Sequence, residues 1–192
     1  MNRVMVLAGA GAWWTGKLES AASSHKRTRC SKGRPPMSQT DALVIQLKTS
    51  HKYMKSTISI FEEEDAGFAP QPALYTVAGH IAHAADSVEW FVEGAFGKGW
   101  NMDFDGLIAA ARAVETLEEA NAWLDRAFEK AIATFESASA EDLAGTIPDE
   151  SIMKGAPRAA IIGPIVDHTA HHRGALTVYA RLLGKVAPMP YS

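Results

Sequence analysis

From Met37 onward, apolar side chains return every three or four positions, the spacing that gathers them on one face of an α-helix. The first run holds Leu43, Val44, Leu47, Tyr53, Met54, Ile58 and Phe61. Thr40 is its predicted cap, and Asp41 opens the first turn. Glu62-Glu63-Glu64-Asp65 and Gly67 should end it, because acids at a helix C-terminus oppose the helix dipole. Phe68-Ala69-Pro70-Gln71-Pro72 cannot be helical. Thr76 then caps a second helix with Val77, Ile81, Ala84, Ala85, Val88, Phe91 and Val92 on its apolar face. Gly94, Gly97 and Gly99 are expected to break it. The stretch 97–105 is predicted to be an extended loop whose Trp100 and Phe104 fold back onto the body.

A short Ala-rich helix is predicted over 105–114. Thr116-Leu117-Glu118-Glu119 is a capping-box sequence for a longer helix carrying Ala120, Trp123, Leu124, Ala127, Phe128, Ala131, Ile132 and Phe135. Residues 139–155 are expected to be a loop, with at most a turn at Asp142-Leu143. Pro157 suits the first position of the last helix, and Gly184 suits its stop. Gly163-Pro164 should kink that helix, since Pro164 lacks a backbone donor. No run of alternating strand residues is convincing. The pattern therefore predicts an all-α four-helix bundle, with an extra short helix between the second and third long helices.

Residues 1–36 break the pattern. An apolar stretch at 4–14 follows Arg3 and superficially resembles a secretion signal, but the small residues Ala21-Ala22 come late for cleavage. The expectation is a disordered basic extension, or an over-long start assignment with Met37 as the natural first residue, ahead of a domain over 37–192. Gly9-Ala10-Gly11 lacks the third glycine and the preceding strand of a dinucleotide fingerprint.

Charge sharpens this division. Residues 1–36 hold seven Lys/Arg and one Glu, a net of +6, which leaves −9 for the remainder out of a total of −3. An acidic body argues against nucleic acid as a partner. One cysteine, Cys30, cannot form an internal disulfide. No apolar run approaches the roughly 20 residues of a membrane span, so a cytoplasmic protein is expected.

The candidate chemistry lies in histidines. Five of the seven fall in two clusters, His80/His83 and His168/His171/His172. His168 and His172 stand four apart on the last helix, one turn above each other on one face. Such a pair, with a third imidazole from another helix, matches what a divalent ion such as zinc takes from protein. Spacing alone slightly favours His80 as the third, because it lies nearer the apolar face; His83 lies on the flank with Ser87 and Trp90. His51 has no partner histidine nearby in sequence and is expected to be a surface or half-buried side chain. A zincin would need Glu after the first His, where Thr169 stands. A ferritin-like site would need Glu-x-x-His, which is absent from the sequence. No nucleophile-elbow sequence is present either.

Three features carry a family resemblance. Thr76-Val77 opens a helix that continues Ile81-Ala82-His83 to Glu89-Trp90-Phe91; the last helix holds His168-Thr169-Ala170-His171-His172-Arg173-Gly174-Ala175-Leu176; and the tail runs Leu183-Gly184-Lys185-Val186-Ala187-Pro188-Met189-Pro190-Tyr191. From 37 to 192 the chain resembles the DinB/YfiT-like four-helix-bundle metalloproteins. That resemblance implies a divalent metal, zinc or nickel first, on His83, His168 and His172, with His80 beside the ligands. His171, about 100° round the helix from either neighbour, is not expected to be a ligand. The resemblance also implies a homodimer and a metal-dependent transferase or isomerase that uses a low-molecular-weight thiol. The rival expectation is a non-catalytic, metal-binding stress-response bundle acting through dimer contacts. Arg173 is expected either to steer an anionic group or to pair with Glu89 or Asp86. No general base can be named from the sequence.

Overall fold

The computed structural model describes residues 37–191. The expectations for residues 1–36 lie outside the described residues. Among the described residues the long helices are α1 (Gln39–Ile58), α2 (Val77–Phe96), α4 (Leu117–Ser137) and α6 (Ile162–Leu182), with shorter α3 (Phe104–Arg112) and α5 (Ala140–Ala144). The body is therefore all-α, as the periodicity predicts.

α1 packs on α6 and α4, and α2 packs on α4 and α6. The four long helices thus follow one another round the bundle as α1, α4, α2, α6. Helices consecutive in the chain, α1 and α2, face each other across the diagonal, and so do α4 and α6. Diagonal crossing needs long connections, which explains the extended segments before α2 and α6. It also makes α2 and α6 neighbours, so side chains far apart in sequence share one seam. Leu47, Met54, Ile81, Leu124, Phe128, Phe135, Ile165 and Leu176 are buried between the four helices.

Several boundaries differ from the sequence expectations, each for a local reason. Ser38, not Thr40, caps α1: its Oγ accepts from the Asp41 N–H at 3.0 Å, and the Asp41 carboxylate accepts from the Ser38 N–H at 3.3 Å. This reciprocal box satisfies two donors at once. α1 ends at Ile58, and the acids form a separate 3-10 turn, Glu63–Asp65, where Asp65 and Glu62 meet Lys185. α2 runs through Gly94 to Phe96. A Cβ on Gly94 would stand 2.1 Å from the Trp100 ring, so the glycine admits the indole rather than breaking the helix. Trp100 does fold back, and its Nε1–H donates to the Asp149 carbonyl at 2.8 Å.

The expected loop 139–155 contains α5, opened by a Ser139/Asp142 capping box. Pro157 precedes a 3-10 turn, Arg158–Ile161, and α6 starts only at Ile162. Pro164 is then the third residue of α6, where its missing N–H would have no intrahelical partner anyway. The Gly163-Pro164 pair consequently marks the change from 3-10 to α, not a kink in mid-helix. Gly184, at φ +75°, closes α6: Lys185 N–H donates to Ala180 O at 2.8 Å, and Gly184 N–H to Arg181 O at 3.0 Å. This double bond pattern is a Schellman stop.

Candidate metal centre

The α2–α6 seam brings together the histidines of both clusters. One ring nitrogen each from His83, His168 and His172 lies within 4.8 Å of the others. His168 Nε2 and His172 Nε2 are 3.0 Å apart. Nitrogens sharing one tetrahedral ion at the usual zinc–nitrogen length stand about 3.3 Å from each other, so this pair is close to that dimension. His172 is 4% exposed; His83 and His168 are half-buried and reach the cleft described below.

His80 makes a different contact. Its Nδ1 is 3.0 Å from His172 Nδ1, and its Nε2 is 3.2 Å from the Tyr179 hydroxyl. Tyr179 donates its one proton to the Tyr75 carbonyl at 3.1 Å. Its oxygen must therefore accept from His80 Nε2–H. Neutral His80 then has a bare Nδ1, which accepts from His172 Nδ1–H, and this leaves His172 Nε2 bare. The chain of hydrogen bonds assigns the tautomer that a cation needs. The weak preference for His80 from spacing is explained by burial: at 8% exposed it is on the apolar face, but it stands behind His172.

Charge within the cluster is suppressed. Burial, reinforced by the neighbouring imidazoles, lowers His80 and His168 to about 4 and His172 to about 2. Burial, then His171, also lowers His83. All four are neutral at pH 7, the form that ligates. His83 Nδ1 is moreover buried with no hydrogen-bond partner. An orphaned buried nitrogen costs about 1–3 kcal/mol. The donor set, its neutrality and this orphan fit a divalent ion.

His171 is exposed, its ring 5.0 Å from His172 and 6.2 Å from His168, and it lies outside the converging set. His51 is half-buried, 2.8 Å from Asp125 Oδ1 and stacked on Phe128. Arg173 pairs with neither Glu89 nor Asp86. Its guanidinium lies over Tyr53 and Tyr191 at 5.7 and 5.8 Å, in a groove between α1 and α6 distinct from the histidine cleft. Glu89 instead accepts from Trp123 Nε1–H at 3.1 Å.

A cleft of about 240 Å³ opens beside the cluster. His83, Asp86, Ser87 and His168 form its polar part; Trp90 and Phe91 of α2 and Phe104, Leu107 and Ile108 of α3 form its apolar part. Asp86 is 9% exposed, and burial, with the Glu89 charge nearby, lifts its carboxyl to about 6. This acid, three residues after His83 and so on the same helix face, was missed as a candidate base from sequence. Tyr179 was missed likewise, although it stands seven residues after His172, two turns along one face. The Tyr75 carbonyl leaves no sequence signal.

The DinB superfamily profile matches residues 46–176, about two thirds of the chain. The chain belongs to the DinB superfamily. Its helical bundle is similar to those of two solved proteins. A conserved protein from Enterococcus faecalis is 17% identical, with a TM-score of 0.59, over 78% of this chain and 99% of its own. YfiT from Bacillus subtilis, described as "a probable metal-dependent hydrolase with an unusual four-helix bundle topology", is 14% identical with a TM-score of 0.59, over 81% of this chain and 94% of its own. At these identities the likeness is one of fold. No curated protein matches the chain significantly. Among the described residues of this DinB member, no helix is long and apolar enough to cross a membrane.

Proposed function

We propose that this protein is a divalent-metal enzyme in which His83, His168 and His172 hold the ion and a low-molecular-weight thiol attacks an electrophile bound in the adjoining cleft. The observation that carries the proposal is the convergence of three neutral imidazoles whose hydrogen-bond chain leaves His172 Nε2 bare. Zinc or nickel suits such a donor set. The ion, when bound, lowers the pKa of a thiol or water and polarises a carbonyl. The protein's own residues supply the rest. Asp86 accepts the thiol proton, the new sulfur–carbon bond forms, and the leaving group departs with its bonding electrons. The half-raised pKa of Asp86 suits proton exchange near neutral pH. His80 and Tyr179 hold His172 in place.

Hydrolysis is a second reading, favoured by Asp86, because a carboxylate beside a three-histidine ion serves water as well as a thiol. We further propose a cytoplasmic homodimer. Exposed Val178 and Leu182 on α6 offer apolar contacts for a second copy, and light scattering of purified protein checks this.

The test uses zinc- and nickel-reconstituted protein, a panel of small thiols and a chromogenic electrophile. Turnover that needs both thiol and metal is expected. Thiol-independent ester cleavage would favour hydrolysis. Retained metal with no turnover of either kind would favour a non-catalytic metal-binding bundle.

A further inference from the structure

The cleft beside the histidines is two-ended. Along α2, His83 and Trp90 are separated by about 10 Å of helix axis, with Asp86 between them. The polar end therefore lies at His83 and His168, and the aromatic end lies two turns away. There α3 supplies Phe104 and Ile108, which are 47% and 39% exposed although they line the cleft. Their neighbour Trp90 has its Nε1–H already satisfied by the Asn101 carbonyl at 2.7 Å. The aromatic end thus offers rings and a branched aliphatic side chain, with no polar side chain seeking a partner.

Charge narrows the occupant. No Lys or Arg lines the cleft, whereas Asp86 does and Glu89 adds to the field at Asp86. Arg173, the expected anion-steering residue, is in the other groove. Away from the histidines, an anionic substituent would thus meet an acid with no compensating cation from the protein. Size narrows it further. A volume of about 240 Å³ is below the 300–1,000 Å³ of drug-sized pockets and equals about eight waters at about 30 Å³ each. An aromatic compound of one or two rings fits this space; a larger polycycle does not.

We propose that the electrophilic substrate is a small aromatic compound whose ring carries no charged substituent, its ring held by Trp90, Phe104 and Ile108 and its reacting group at the His83–Asp86 end. This assignment rests on the reading of the histidine cluster as the reactive centre, but the binding itself needs no metal. α3 then acts as the specificity element, because it contributes the ring's outer wall and little to the bundle core.

Nitroaromatics quench indole fluorescence, and Trp90 lines the proposed ring site. The experiment titrates metal-free full-length protein with 4-nitrobenzyl alcohol, which is uncharged, and with 4-nitrobenzoate, which is anionic and similar in size. Metal-free protein is used so that a cation cannot hold the carboxylate. Saturable quenching by the alcohol, at least tenfold tighter than by the benzoate, is expected. Phe104→Ala and Ile108→Ala, both at exposed positions, should each weaken it at least fivefold while circular dichroism and zinc stoichiometry stay unchanged. Absence of saturable quenching, equal affinity for the benzoate, or undiminished binding in both variants would overturn the proposal. The metal assignment fails separately: wild-type protein that quenches as expected but takes up no zinc would leave the ring site intact without its reactive centre.

Discussion

A proton on the wrong nitrogen of His172 would leave the cluster unable to share a cation. Its placement is set two residues away, where Tyr179 donates to a backbone carbonyl and can only accept from His80. Tyr179→Phe removes that acceptor, and zinc affinity should fall about tenfold; His80→Ala should cost up to about 100-fold, in line with outer partners of metal ligands generally. Competition against a chromophoric chelator measures both. Asp86→Asn should leave metal content unchanged and lower thiol-dependent turnover by about 100-fold or more. At this scale the sequence was partly legible. The i,i+4 pair His168/His172 follows from helical spacing alone. The choice between His80 and His83 does not, because proximity to an apolar face marks burial, and the buried histidine here is the one behind the cluster.

Among the elements, the long helices were legible because each needs a continuous apolar face, whereas their ends depend on single hydrogen bonds. The Ser38/Asp41 and Ser139/Asp142 boxes decide where α1 and α5 begin, and each is carried by only two polar side chains. The glycine-rich end of α2 misled for another reason. Gly94 resembles a helix breaker in sequence but is a seat for Trp100, which buries against Trp90 and Phe91. Gly94→Ala tests this. Helix propensity alone would favour the alanine by up to about 1 kcal/mol, but overpacking against the indole costs about 1–3 kcal/mol. A lower urea midpoint with altered tryptophan fluorescence is expected. A raised midpoint would mean that the Trp100 loop gives way freely. Since this loop leads into α3, the same variant should also weaken binding in the aromatic end of the cleft.

At the scale of the whole molecule, two facts escape a one-dimensional pattern: α1 and α2 lie on the bundle diagonal, as do α4 and α6, and α2 and α6 share a seam. That seam makes the metal-free fold sensitive to acid. Burial holds His80, His83, His168 and His172 below the ordinary histidine value of 6.5. Below 6.5 the unfolded chain takes up protons that the folded chain refuses, so stability falls as pH drops from about 6.5 toward 4. Asp86 acts oppositely. Raised to about 6, it binds a proton in the fold before it does so unfolded, and adds some stability as pH falls below 6. Four groups against one give a net loss, seen as a declining urea midpoint between pH 7 and pH 5. Saturating zinc should raise the midpoint at pH 7, since it binds the folded state preferentially.

The most direct test counts metal on the protein. Chelator-stripped wild type is reconstituted with zinc, dialysed and assayed for zinc per chain, beside His83→Ala and the double variant His168→Ala/His172→Ala. One equivalent on wild type and almost none on the folded variants is the predicted result. A double variant that keeps a full equivalent, or a folded wild type that keeps none, would contradict the account.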